Sequence, residues 1–190
     1  MRYTTILSFT LVSFFMPVCV KAQGVKIDTT AFYGNTGYRV TCSNKKDDAN
    51  EVTISPKKFK NTVRDVSFTV KGRLTKILVD DLNDDGFPDL LLCVYTGAKF
   101  EKGTIVGIYS SDAAIMPAGF PDIYDDPKIR EGYKGHDEFT IVVGSLLRSF
   151  PIYKPEDTDT ATGGTKVIQY KIIPDANKRM VFKVLRSYVK

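Results

Sequence analysis

ILVDDLNDDGFPDLLLCVY, residues 77–95 of the chain, places an acidic segment that contains one glycine between two apolar runs. The runs, residues 77–79 and 90–95, have the length and the apolar character of short buried strands. A glycine preceded by aspartates is typical of a tight turn, because glycine adopts a positive φ without steric conflict. The segment therefore predicts two strands joined by an acidic loop.

The acidic loop carries side-chain oxygen atoms at alternate positions, as a calcium-binding loop does. Gly86 stands where such a loop turns sharply, whereas Leu92 replaces the bidentate glutamate of a helix-loop-helix calcium site. The predicted calcium ligands are Asp81, Asn83, Asp85, the backbone carbonyl of Phe87, and Asp89. The alternative is a hairpin turn without metal, in which the Asp and Asn side chains bind neighbouring backbone groups.

Strand-like segments recur along the chain in two series, separated by a proline-containing connection at residues 117–132. The first series comprises residues 31–33, 38–42, 51–54, 66–70, 74–79, 89–95 and 104–109, and the second comprises residues 139–143, 146–153, 167–173 and 180–189. Several segments have the period of two that is typical of a strand with one buried face. The pattern predicts an all-β protein, an antiparallel β-sandwich or barrel-like fold, with one short helix near Pro127 in the long connection.

The first 22 residues have the composition of a secretory signal peptide. Arg2 precedes an apolar stretch at residues 6–20, which is too short and too interrupted for a membrane span, and the small residue Ala22 ends the segment. We therefore expect a signal peptide at residues 1–22 and export to the periplasm or the outside of the cell. Residues 23–190 have the length of one domain with its own hydrophobic core.

Charge and histidine content narrow the functional classes. Removal of Arg2 and Lys21 with the signal peptide lowers the net charge from +5 to +3, and the basic residues are interspersed with acidic ones. This distribution gives no indication of a nucleic-acid partner. His136 is the only histidine in the sequence, and we find no catalytic set of residues around it. We expect a protein that is not an enzyme, in which His136 orders a turn.

Two cysteines remain after the predicted cleavage, Cys42 and Cys93, and both lie in strand-like segments. An oxidising compartment permits them to pair, and a disulfide across about 50 residues would stabilise the fold by about 4 kcal/mol. The alternative is two separately buried thiols that behave as small apolar residues. We predict the disulfide.

Three segments that follow the acidic loop carry a family resemblance: GYKGHDEF at 132–139, LLRSFPIY at 146–153 and TGGTKVIQYKI at 162–172. In this order and spacing they resemble the bacterial periplasmic inhibitors of invertebrate-type (I-type) lysozyme. The resemblance implies a β-rich, sandwich-like fold and an exported protein that blocks the active-site cleft of a lysozyme. The acidic loop by itself also resembles the calcium loops of FG-GAP repeats, which leaves a calcium-dependent exported binding or adhesion module as the alternative function.

In the family that the chain resembles, the inhibitory loop follows the strand after the acidic segment, begins with serine-glycine and carries a tyrosine shortly afterwards. The corresponding residues here are 95–103, YTGAKFEKG. The resemblance therefore implies that Thr96, Gly97, Lys99 and Phe100 bind the lysozyme. Phe100 lacks the phenolic hydroxyl of a tyrosine, and we expect the ammonium of Lys99 or Lys102 to supply the missing hydrogen-bond donor. The alternative is an ordinary hairpin loop with solvated charges.

Overall fold

The regular structure is almost entirely β in this computed structural model, which describes residues 24–61, 63–111 and 113–190. The predicted signal peptide at residues 1–22 lies outside the described residues. In chain order the strands are β1 (Ile27–Tyr33), β2 (Thr36–Cys42), β3 (Ala49–Lys57), β4 (Val66–Lys71), β5 (Arg73–Asp80), β6 (Asp89–Thr96), β7 (Lys102–Ser110), β8 (Ile115–Ala118), β9 (Glu138–Ile141), β10 (Leu146–Pro151), β11 (Thr165–Pro174) and β12 (Met180–Val189). The predicted all-β, sandwich-like fold is confirmed.

The strands form three antiparallel sheets of four strands each. The central sheet has the order β5-β6-β7-β8. The first outer sheet is β1-β2-β3-β4, and the second outer sheet is β12-β11-β10-β9. Within each sheet, consecutive strands of the chain pair with each other. The chain passes from one sheet to the next between β4 and β5 and between β8 and β9.

Strand β6 is buried on both of its faces, because each face packs against a different hydrophobic core. Leu90, Leu92 and Val94 point into a core shared with the first outer sheet, whereas Leu91 and Cys93 point into a core shared with the second. Successive side chains of a strand alternate between faces, and a strand covered on both sides therefore reads as a continuous apolar run. This is the physical reason for the sequence LLLCV.

The predicted disulfide is wrong: Cys42 and Cys93 are both buried and both free. Cys42 belongs to the core under the first outer sheet, whereas Cys93 faces the core under the second outer sheet, on the opposite side of β6. The body of the central sheet thus separates the two sulfur atoms. Burial raises the pKa of the Cys93 thiol to about 12, which is the behaviour of a small apolar core residue.

The long connection differs from the prediction in two respects. Pro117 lies in β8, at the edge of the central sheet, where it pairs with Ile108; an edge strand tolerates a proline because one side of its backbone needs no ladder partner. The helical element is a single 3-10 turn, Ile123–Asp125, capped by the side chain of Asp122. Pro127 follows this turn and does not begin a helix.

Gly107 makes room for an aromatic ring in the core under the second outer sheet. A Cβ atom at position 107 would lie 2.5 Å from Cε2 of Phe182, a separation that real Cβ atoms do not show. We expect Gly107→Ala to lower the free energy of unfolding by about 1–3 kcal/mol through overpacking, as measured by urea denaturation.

Gly119→Ala is the matched control, because the nearest atom to its added Cβ is a methyl carbon of Val181 at 3.3 Å. Neither glycine has a positive φ, so that backbone strain does not enter the comparison. Equal unfolding midpoints for the two variants would contradict this account of the packing at Gly107.

Candidate functional site

The four predicted partner-binding residues lie together on the hairpin that joins β6 to β7. The strands pair as far as Thr96 and Lys102, and residues 96–101 form the hairpin tip. Gly97, Ala98 and Lys99 are exposed, whereas Thr96 and Phe100 are half-buried. The tip therefore presents two very small residues and one ammonium group to a partner.

The hairpin tip is held in shape by its own backbone and by one carboxylate. Gly97 and Phe100 both have positive φ angles, 95° and 55°, and the amide of Phe100 donates to the carbonyl of Gly97 at 3.2 Å. The Glu101 carboxylate accepts from the amide of Lys99 at 2.9 Å. Backbone amides of Glu101 and Lys99 lower the pKa of this carboxyl, because they bind its ionised form.

Phe100, one of the predicted partner-binding residues, is partly covered by the protein itself. The Arg73 guanidinium lies over its ring, 4.0 Å from the centroid, and also forms an ion pair with Asp47. One face of the ring is thus covered by a cation. Phe100 braces the hairpin tip against the start of β5, and Lys99 is left as its most accessible charged group.

A buried ion pair between Asp137 and Arg148 anchors the base of the hairpin. Nε of Arg148 donates to the Asp137 carboxylate at 2.7 Å, and the two side chains are 3% and 0% exposed. The pair also binds the backbone of Gly103. The amide of Gly103 donates to the Asp137 carboxylate at 2.7 Å, and the carbonyl of Gly103 accepts from the Arg148 guanidinium at 3.1 Å. A side chain at position 103 would collide with Phe139 and Asp137.

Two tyrosines complete this hydrogen-bond network. The Tyr133 hydroxyl donates to the Asp137 carboxylate and accepts from Arg148 at 3.2 Å, and the Tyr95 hydroxyl donates to the carbonyl of Asp137 at 2.7 Å. Burial, followed by the adjacent Asp137 carboxylate, raises the pKa of Tyr133. The buried charges are therefore hydrogen-bonded as well as paired, which is the condition under which a protein interior tolerates them.

Residues 132–139 bind the hairpin through their backbone as well. The amide of His136 donates to the carbonyl of Glu101, and His136 itself has a φ of +64°. Gly135, with a φ of +98°, approaches the backbone of Glu101 so closely that an added Cβ would lie 2.8 Å from its carbonyl oxygen. His136 thus lies in the turn where the sequence places it, and its side chain is exposed.

The sequence reasoning missed the Asp137–Arg148 pair, although one signal was available. In the alternating strand β10, Leu146, Arg148 and Phe150 occupy the buried positions. An arginine on the apolar face of a strand needs a buried acceptor, and the nearby GHD segment supplies one.

The acidic loop directs most of its oxygens to its own backbone. Asp81 accepts from the amides of Asp85 and Gly86 at 3.0 and 2.8 Å, and Asp85 accepts from the amide of Phe87 at 2.8 Å. Nδ2 of Asn83 donates to the other oxygen of Asp85 at 2.8 Å. These contacts are those of a tight turn stabilised by Asp side chains.

Asp89 is set apart from the other predicted ligands. Its fully buried carboxylate accepts from the amides of Leu82 at 2.9 Å and Ser110 at 3.3 Å, and so joins the loop to β7. Burial raises its pKa to about 7, because desolvation outweighs these two hydrogen bonds. Within residues 24–61, 63–111 and 113–190, no group of three or more His, Cys, Asp or Glu side chains is arranged to hold a metal ion. Calcium binding stays a prediction.

Comparisons with protein-family models, with curated proteins and with solved structures find no match for this chain. Across the described residues, no helix has the length and apolarity needed to cross a membrane. What the fold defines is a three-layered antiparallel β protein whose central hairpin is clamped by a buried ion pair.

We expect removal of one member of this pair to be far more damaging than removal of an exposed one. Arg148→Met leaves the Asp137 carboxylate buried without its cation, and we expect a loss of about 3–5 kcal/mol in the free energy of unfolding. Arg39→Met is the control: Arg39 pairs with Asp28 on the surface, where the expected loss is at most about 1 kcal/mol. Urea denaturation measures both, and similar losses would refute the anchoring role.

The calcium prediction is testable by thermal unfolding of the purified protein, first treated with a chelator. With a Kd of about 10⁻³ M, about 10 mM calcium would stabilise the folded state by about 1.4 kcal/mol and raise the Tm by about 3–6 °C. Asp85→Ala should abolish the calcium-induced rise, whereas Asp159→Ala, in another exposed loop, should keep it. An unchanged Tm in calcium would rule out the site.

Proposed function

We propose that the protein is an exported inhibitor of I-type lysozyme that inserts its hairpin tip into the catalytic cleft of the enzyme. The observation that carries the proposal is the anchoring of this tip by the Asp137–Arg148 network. Tyr133, Asp137 and Arg148 of that network come from two of the segments that resemble the inhibitor family, GYKGHDEF and LLRSFPIY. The predicted signal peptide would deliver the protein to the periplasm or the outside of the cell, where it would meet such an enzyme.

The chemistry of the tip suits a glycosidase cleft. Glycoside hydrolases of this kind use a pair of carboxyl groups that flank the scissile bond. The exposed Lys99 ammonium is a cationic donor that such carboxylates would bind, and Gly97 and Ala98 add little bulk beside it. The Thr96 hydroxyl, which contacts the carbonyl of Lys102 at 3.4 Å, lies at the edge of the same surface.

Rigidity favours inhibition without turnover. A loop that is already ordered loses little conformational entropy when it binds, and more of its contact energy then appears as affinity. Here the carboxylate of Glu101 orders the tip from within, Arg73 covers Phe100, and the buried ion pair holds the base at Gly103. The acidic loop is a weaker candidate for the functional surface, because Asp81 and Asp89 are bound to backbone amides.

Inhibition is measured with purified protein titrated against I-type, chicken-type and goose-type lysozymes that lyse a bacterial cell-wall suspension. We expect near-stoichiometric loss of I-type activity. Lys99→Ala should raise the inhibition constant about 30-fold, which corresponds to the loss of about 2 kcal/mol at a hot-spot residue.

Lys183→Ala is the matched control, since Lys183 is an exposed lysine on β12, at the far edge of the second outer sheet from β9. Its inhibition constant should equal that of the unaltered protein. The proposal fails if no lysozyme is inhibited at protein concentrations well above that of the enzyme. If Lys99→Ala leaves the inhibition constant unchanged, the hairpin tip is not the inhibitory loop.

A further inference from the structure

A concave surface lies beside the second outer sheet, and no residue of the hairpin tip lines it. This cleft has a volume of about 520 Å³. The residues that line it are Glu131, Gly132 and Lys134 before β9, residues 152–155 after β10, Gly163 and Lys166 around the start of β11, and Val189 at the end of β12. We call it the lysine cleft, after Lys134, Lys154 and Lys166.

Backbone hydrogen bonds build the floor of the lysine cleft. The amide of Tyr153 donates to the carbonyl of Gly132 at 2.9 Å, and the amide of Gly163 donates to the carbonyl of Ile152, also at 2.9 Å. Side chains at Gly132 and Gly163 would lie 2.5 and 2.7 Å from the Cγ2 atom of Ile152. The two glycines therefore allow three chain segments to meet closely beneath the cleft.

One rim of the cleft is held by a buried aspartate. Asp157 accepts from the amides of Lys154 and Thr162, both at 2.8 Å, and from the Thr162 hydroxyl at 2.9 Å. Burial opposes ionisation of Asp157, but these donors outweigh it and lower the pKa of the carboxyl. Lys134 crosses from the opposite side, where its ammonium donates to the carbonyl of Asp157 at 2.8 Å. The cleft is thus formed before any ligand arrives.

The charge of the lysine cleft is unbalanced. Of the described residues that line it, Glu131 alone is acidic, against three lysines. Throughout the described part of the chain, none of these three lysines forms an ion pair. Even with the Asp157 carboxylate on the rim, the lysines outnumber the carboxylates, and a concave surface of net positive charge raises the local concentration of anions.

The walls between the lysines are apolar. Ile152, Pro155 and Val189 line the cleft, together with Tyr153, whose ring lies 4.7 Å from the Lys134 ammonium. A simple inorganic anion would leave this apolar surface unused. The lining instead suits a ligand with anionic groups on a ring that also has C–H faces, and the volume lies in the range of small-molecule sites.

We propose that the lysine cleft binds an acidic saccharide, with its carboxylate or other anionic groups on Lys154 and Lys166. The C–H faces of the sugar rings pack against Pro155, Ile152 and Val189. A nucleic acid fits less well, because its backbone needs an extended basic groove and not one compact cleft. The assignment is independent of lysozyme inhibition, since it uses no residue of the hairpin tip.

Isothermal titration at about 50 mM salt tests the proposal with tetragalacturonate, which carries one carboxylate on each ring. We expect the affinity to fall about tenfold in Lys154→Ala/Lys166→Ala, which corresponds to about 1.4 kcal/mol shared between two exposed charge contacts. Lys71→Ala/Lys183→Ala removes the same charge from two other strands and should leave the affinity unchanged. Neutral cellotetraose should not bind.

An NMR titration of the unaltered protein locates the site without relying on a variant. The amide signals of Gly132, Tyr153 and Gly163 should move with tetragalacturonate, and those of Lys99 and Gly103 should not. Equal losses of affinity in the two double variants would overturn the proposal, as would the absence of binding. A tetraglutamate peptide that binds as tightly as the saccharide would overturn the choice of ligand. Because lysozyme inhibition is measured separately, either proposal can fail alone.

Discussion

The burial of β6 on both faces is the constraint on which the rest of the structure depends. A strand whose side chains are apolar on both sides cannot lie at a surface, so that each face must be covered by another sheet. The two outer sheets provide this cover, and they do so with separate cores. The same strand carries the acidic loop before its first residue and the hairpin tip after its last one. Both candidate sites are therefore attached to the most buried strand of the protein.

Hydrophobic patterning was sufficient to predict most strands, because apolar runs and period-two alternation record directly which faces are buried. It was insufficient for β8, because a proline such as Pro117 usually indicates a loop. The strand tolerates this proline because it lies at the edge of its sheet. The disulfide prediction was wrong for a different reason. Their pairing depends on which side of the central sheet each one faces. The spacing of two cysteines along the chain does not determine whether they lie in the same core.

In the candidate site, too, features set by neighbouring residues could be predicted, and features set by contacts between distant residues could not. The position of the hairpin tip follows from the strands on either side, which are visible in the sequence. Its anchoring does not, because Asp137 and Arg148 are separated from Gly103 by 34 and 45 residues and meet only in the fold. Residues 132–139 connect the two proposed surfaces: Gly132 and Lys134 form part of the lysine cleft, and Asp137 holds the base of the hairpin.

The unpaired cysteines bear on how the chain withstands oxidants. Disulfide formation begins with a thiolate, and a thiol with a pKa of about 12 is almost entirely protonated at neutral pH. Cys93 is also sealed within the core, 1% exposed, and Cys42 is 2% exposed on the other side of the sheet. Both sulfurs are therefore protected kinetically by the fold itself. While the chain stays folded, neither thiol is exposed to an oxidant in solution.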